Sequence, residues 1–116
     1  MRRGNLSTDP FSEREFEVLR TLEVNPKLSQ RQLAKTIGVS VGSINFCLKA
    51  LVEKGFIKIG NFASNPKKSG YFYLLTPAGV QEKSKLTMAF LVKKQNEYVQ
   101  LQSEIKQLQD ELNERT

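Results

Sequence analysis

At 116 residues, 39% hydrophobic and 26% charged with a net charge of +6, the chain has room for one small domain plus an extension. With one cysteine (Cys47) and no histidine, it cannot hold an intrachain disulfide, a Cys/His zinc site or a Ser-His-Asp triad; it has neither a GxxxxGKS/T nor a GxGxxG phosphate motif, so no cofactor, metal or enzymatic activity is expected. The longest apolar runs, 71–75 and 88–92, are five residues each, too short for a membrane span or a signal core, and a cytoplasmic protein is expected.

Residues 1–11 carry Gly4, Asn5, Asp9 and Pro10 with little apolar content and read as a flexible arm. Helix 1 is expected to start at Ser12, with Ser12 and Glu15 as a capping box and Phe11 with Phe16 as a hydrophobic staple. Phe16, Leu19 and Leu22 give its core face, and Asn25-Pro26 ends it. Helix 2 repeats the device: Ser29 and Gln32 are the capping pair, Leu28 and Leu33 the staple, and Gly38 supplies the left-handed position for a sharp turn. Helix 3 follows at once with Ser40 as N-cap and Val39 with Ile44 as staple. Ile44, Cys47, Leu48 and Leu51 fall at i, i+3, i+4, i+7 and face inward, and Gly55 terminates the helix. On that face Cys47 reads as a small hydrophobe rather than a redox sensor.

Residues 56–62 and 71–75 are rich in aromatic and β-branched side chains and predict two strands of a hairpin. The polar loop between them, 63–70, carries Asn65-Pro66 and Ser69-Gly70 turn signals and the Lys67–Lys68 pair. Thr76-Pro77 opens a fourth helix, threonine as N-cap and proline at N1. No proline follows Pro77 and no glycine follows Gly79, so this helix runs to about residue 115, on the order of 55–60 Å. The fold class expected is therefore mainly α with a small β-hairpin (α+β): a winged helix-turn-helix domain over 12–76 and a long helix over 77–115.

Helix, glycine turn, helix and hairpin make a shape that reads double-stranded DNA, with helix 3 in the major groove and the hairpin beside it. Charge agrees with that: residues 27–70 hold 8 Lys/Arg against 1 Asp/Glu, whereas 81–116 balance at 6 against 6. With the core face of helix 3 fixed, Ser40, Val41, Gly42, Ser43, Asn45, Phe46 and Lys49 are left for DNA. Asn45 suits an adenine edge, Ser43 several bases, and Phe46 or Val41 a thymine methyl. Helix 3 has no arginine, so A·T-rich or indirect readout is expected. Gln30 and Arg31, at the start of helix 2, are placed to hold phosphate, and Lys67 and Lys68 to touch backbone or minor groove.

The last part of helix 4 reads as a dimer device. Leu91, Tyr98, Ile105 and Leu112 take heptad position a, and Leu101 and Leu108 take d; only Lys94 interrupts the seam. Glu97, Glu104 and Glu111 sit at g, opposite Gln95, Gln102 and Gln109 at e in a parallel pair; an antiparallel pair would oppose Glu to Glu. A parallel homodimer is favoured, and folding back or docking to another protein remain alternatives. Two heads on one dimer favour a pseudo-palindromic operator with half-sites about one helical turn or a multiple apart.

The run LSQRQLAKTIGVSVGSINFCLKALVEKGFIKIGNF, then YFYLLTPAG, then a long Leu/Gln/Glu helix, resembles the winged helix-turn-helix regulators of the MarR family, in particular the short branch linked to bacterial exopolysaccharide gene clusters. The resemblance covers about residues 12–115. It implies a dimeric DNA-binding transcription factor with residues 40–49 as recognition helix and the Lys67–Lys68 loop as wing. The chain departs from the typical pattern in having no long helix ahead of helix 1. The family's usual dimer from both termini is then incomplete, and no small-molecule effector is carried over. The competing readings are a winged-helix adaptor that binds proteins and an architectural binder without sequence choice.

Overall fold

The computed structural model describes residues 10–61 and 71–115 and orders them as α1 (Pro10–Val24), α2 (Gln30–Ile37), α3 (Val41–Glu53), β1 (Ile57–Asn61), β2 (Tyr71–Leu75) and α4 (Pro77–Arg115). The fold class is the expected one, mainly α with one antiparallel hairpin and a 39-residue terminal helix. Among the described residues no single helix is long and apolar enough to cross a membrane. The expected wing lysines, Lys67 and Lys68, and the expected N-terminal arm up to residue 9 lie outside the described residues.

Local chemistry sets the helix ends. Ser29 caps α2 by accepting from the Gln32 N–H, while the Gln32 side chain accepts from the Ser29 N–H, a complete capping box. Gly38, at φ 89°, turns the chain so that α3 starts three residues later, capped by the Ser40 hydroxyl on the Ser43 N–H. The chain bends by 107° between α2 and α3, inside the range of helix-turn-helix pairs. α3 closes on Gly55, at φ 79°: the Phe56 N–H reaches Leu51 O and the Gly55 N–H reaches Val52 O, the two bonds of a Schellman end.

One expectation fails at α1. The helix begins at Pro10, so Ser12 lies inside its first turn and is not the cap. Proline is well placed there because a first-turn N–H has no partner to lose. Glu15, expected to complete a capping box, is instead buried at 4% exposure and ion-paired at 2.5 Å to Lys54 at the end of α3.

Val18, Leu19, Leu22, Leu33, Ala34, Ile44, Cys47, Leu48, Leu51 and Ile57 form a single core with Tyr73 and Leu86. The helix 1 core face thus includes Val18, while Phe16 is half-buried and stacks on Phe90 of α4 with ring centroids 5.0 Å apart. The hairpin pairs Ile57 with Leu75, Ile59 with Tyr73 and Gly60 with Phe72. A Cβ on Gly60 would fall 2.8 Å from the Phe72 ring, so the aromatic covers the glycine across the strands. The Tyr73 N–H donates to Pro26 O, tying the hairpin to the α1–α2 connection.

The α3–β1 junction also seats α4. Thr76 donates its N–H to Phe56 O and its hydroxyl to Gly55 O, and it accepts from the Gly79 N–H as N-cap. A Cβ on Gly79 would lie 1.9 Å from Phe56 O, so only glycine lets the first turn of α4 approach this closely. Farther along, α4 lies against α1 through Leu86, Ala89 and Phe90, and through the Lys83–Glu23 and Lys93–Glu13 ion pairs. The Glu13 bond raises the Lys93 pKa. From residue 94 to 115 every residue is exposed, and the molecule extends 72 Å along its longest axis.

Candidate nucleic-acid interface

α3 buries Ile44, Cys47, Leu48 and Leu51, and the 3.6-residue period then turns Gly42, Phe46, Lys49 and Glu53 outward as one stripe. Val41 is 45% and Phe46 68% exposed, so both present apolar surface on the outer face of α3. Asn45 flanks the stripe on the side of α2 and the hairpin; Ser43 flanks it on the side of α1. Arg31 is exposed on the first turn of α2, and Gln30 is half-buried beside α3. Of the expected site residues, Arg31, Ser40, Val41, Gly42, Phe46 and Lys49 are exposed, and Gln30, Ser43 and Asn45 are half-buried.

Two of these side chains are tied by bonds that spacing does not reveal. The Arg14 guanidinium donates from Nη1 to Ser43 Oγ at 2.6 Å, bringing an α1 cation to the first turn of α3. It supplies an arginine at the very helix that has none of its own. The Asn45 amide donates from Nδ2 to Gln30 Oε1 at 3.3 Å, and Gln30 Nε2 donates to Tyr73 Oη at 3.2 Å. Asn45, Gln30 and Tyr73 wall an open groove of about 510 Å³, floored by Leu48, Val52 and Ile59, between α3 and the hairpin. Nothing local marks Arg14. For Tyr73 a signal existed: a tyrosine in a buried strand position needs a partner for its polar tip.

Cys47 is 1% exposed, and burial, reinforced by the Glu15 charge, pushes its thiol up to about 11. A thiol kept protonated and covered is not a redox sensor, and its role is packing.

The match to known proteins follows this geometry. Residues 11–58 match the family described as winged helix-turn-helix DNA-binding. The PcaV transcriptional regulator from Streptomyces coelicolor superposes with a TM-score of 0.67 over 92% of this chain and 84% of that one, at 17% identity. The chain has a winged helix-turn-helix fold. A Mycobacterium tuberculosis MarR family protein, solved with p-aminosalicylic acid, gives a TM-score of 0.63 at 22% identity over 85% of this chain and 76% of that one. In sequence, an HTH-type transcriptional regulator of Methanocaldococcus jannaschii is 33% identical over 57 residues, 49% of this chain and 38% of that regulator. The match thus spans well under half the length of that relative. The PcaV and Methanocaldococcus jannaschii proteins are described as transcriptional regulators.

Proposed function

We propose that this winged-helix protein is a dimeric, sequence-specific regulator of transcription that represses its target genes in the cytoplasm. We assign it to the short branch of the MarR family associated with exopolysaccharide gene clusters. The observation that carries the reading is the exposed outer face of α3, on a helix set at 107° to α2 and within a segment, 27–70, that holds 8 Lys/Arg against 1 Asp/Glu. The first turns of α2 and α3 carry unpaired N–H groups toward phosphate, with Arg31 and Arg14 beside them. Ser43, Asn45, Phe46 and Val41 face base edges, and Lys67 and Lys68 extend the contact to backbone or minor groove.

Leu91, Tyr98, Leu101, Ile105, Leu108 and Leu112 are all about half exposed or more on one seam of α4. A second copy of the chain covers that seam in parallel register, so that each Glu at g meets a Gln at e. The two heads then face successive half-sites of a pseudo-palindromic operator.

A salt titration tests the DNA reading. Binding to a genomic duplex pool weakens steeply between ~50 and ~200 mM salt, as phosphate neutralisation requires. Arg31→Ala with Lys49→Ala lowers affinity and flattens the log–log slope by about one per lost phosphate contact. Unchanged affinity and slope in that variant would remove these residues from the interface. Absence of any binding would leave a protein-binding adaptor as the function.

A further inference from the structure

The hydrogen-bonded chain Tyr73–Gln30–Asn45 joins three elements: the wing strand β2, the first residue of α2 and the outer flank of α3. The three residues are 43 and 15 positions apart along the two bonds, so the chain forms only in the folded head. Its inner end is fixed. Tyr73 is 5% exposed, and its backbone N–H is held by Pro26 O. Its outer end lies at the rim of the DNA-facing stripe.

The stereochemistry of the amides has a consequence for readout. An asparagine that pairs bidentately with adenine must accept from N6–H₂ through Oδ1 and donate to N7 through one Nδ2 hydrogen. The Nδ2 group has two hydrogens. Gln30 Oε1 takes one of them; when this is the hydrogen trans to Oδ1, Oδ1 and the cis hydrogen are available together for the base. Gln30 turns its Oε1 toward Asn45 and donates from Nε2 to Tyr73 Oη, so the buried tyrosine seats the Gln30 side chain against α3 in this arrangement. With either bond cut, the Asn45 amide rotates among orientations of which about half present donor and acceptor reversed.

We infer that Tyr73 and Gln30 are positioning residues for base recognition: through the Tyr73–Gln30–Asn45 chain, a wing-strand tyrosine that touches no DNA sets the preference for adenine at the base pair facing Asn45. This rests on the proposed role of α3 in reading DNA. It makes specificity at one operator position depend on the docking of the hairpin against α2.

The test is selection from a randomised duplex library by the full-length chain and its variants, followed by sequencing, with thermal unfolding measured in parallel. Asn45→Ala flattens the preference at one base pair of each half-site, by roughly tenfold, within the range of a bidentate amide–adenine pair. Tyr73→Phe, which removes the inner link, flattens the same base pair by about threefold and leaves the other positions and the salt dependence unchanged; Gln30→Met, which removes both links, flattens that base pair at least as much. In an Asn45→Ala background, Tyr73→Phe has no further effect on preference. A purely structural tyrosine would lower the unfolding temperature and weaken binding at every position alike, and that result overturns the inference. So does an effect of Tyr73→Phe that persists without Asn45. If Asn45→Ala flattens one base pair and Tyr73→Phe and Gln30→Met do not, the relay is wrong and the base-reading role stands. If Asn45→Ala alters no position, or the wild-type chain selects no sequence, the base-reading role fails and the relay with it.

Discussion

The two halves of α4 share one helix and one backbone ladder but not one environment. Up to Phe90 the helix is anchored: Gly79 abuts the Phe56 carbonyl, Leu86 joins the core, Ala89 is buried, and Phe90 stacks on Phe16. From residue 94 to 115 every residue is exposed, yet an apolar residue recurs at alternating spacings of three and four. The difference separates two kinds of hydrophobic pattern that a helical wheel treats alike. The proximal pattern is satisfied by the chain's own domain, whereas the distal one can be satisfied only from outside it.

Substitutions sharpen that contrast, beginning where the largest loss is expected. Leu51→Ala empties a fully buried core site, and should cost about 2–5 kcal/mol of head stability in denaturant unfolding. Gly79→Ala inserts a methyl where Phe56 O already stands, and should cost about 1–3 kcal/mol, seen as a lower unfolding temperature and a loosened α4. A silent Gly79→Ala would mean that the close approach of α4 to the α3–β1 junction is not needed. In the distal half, Leu101→Lys with Leu108→Lys should leave the head transition within about 0.5 kcal/mol. The same pair of changes should convert the sedimenting species to monomer and remove the concentration dependence of DNA binding. An unchanged sedimentation coefficient there would dissolve the distinction between the two halves.

Much of this was legible in the sequence because it is local. The caps at Ser29, Ser40 and Thr76, the glycine turns at 38 and 55 and the inward face of α3 each depend on residues within one or two helical turns, and each forms as expected. The start of α1 differs from the sequence expectation because Ser12-x-x-Glu15 satisfies the capping pattern while tertiary packing uses Glu15 for Lys54, 39 residues away. The Phe16–Phe90 stack, the Arg14–Ser43 bond and the Tyr73–Gln30–Asn45 chain join residues on different elements, and no periodicity reports which elements meet. Of the proposed interface, sequence identified the stripe but not the bonds that hold its edges.

If the head reads DNA sequence and the distal helix sets two heads side by side, the protein selects paired half-sites from random DNA. Sequencing the duplexes that the full-length chain retains from a random library at ~150 mM salt tests both parts at once. The account predicts one enriched inverted repeat, its half-sites separated by about 10 base pairs or a multiple. Retention of all sequences alike, or of none, would contradict it, and enrichment of a lone half-site would contradict the pairing of heads.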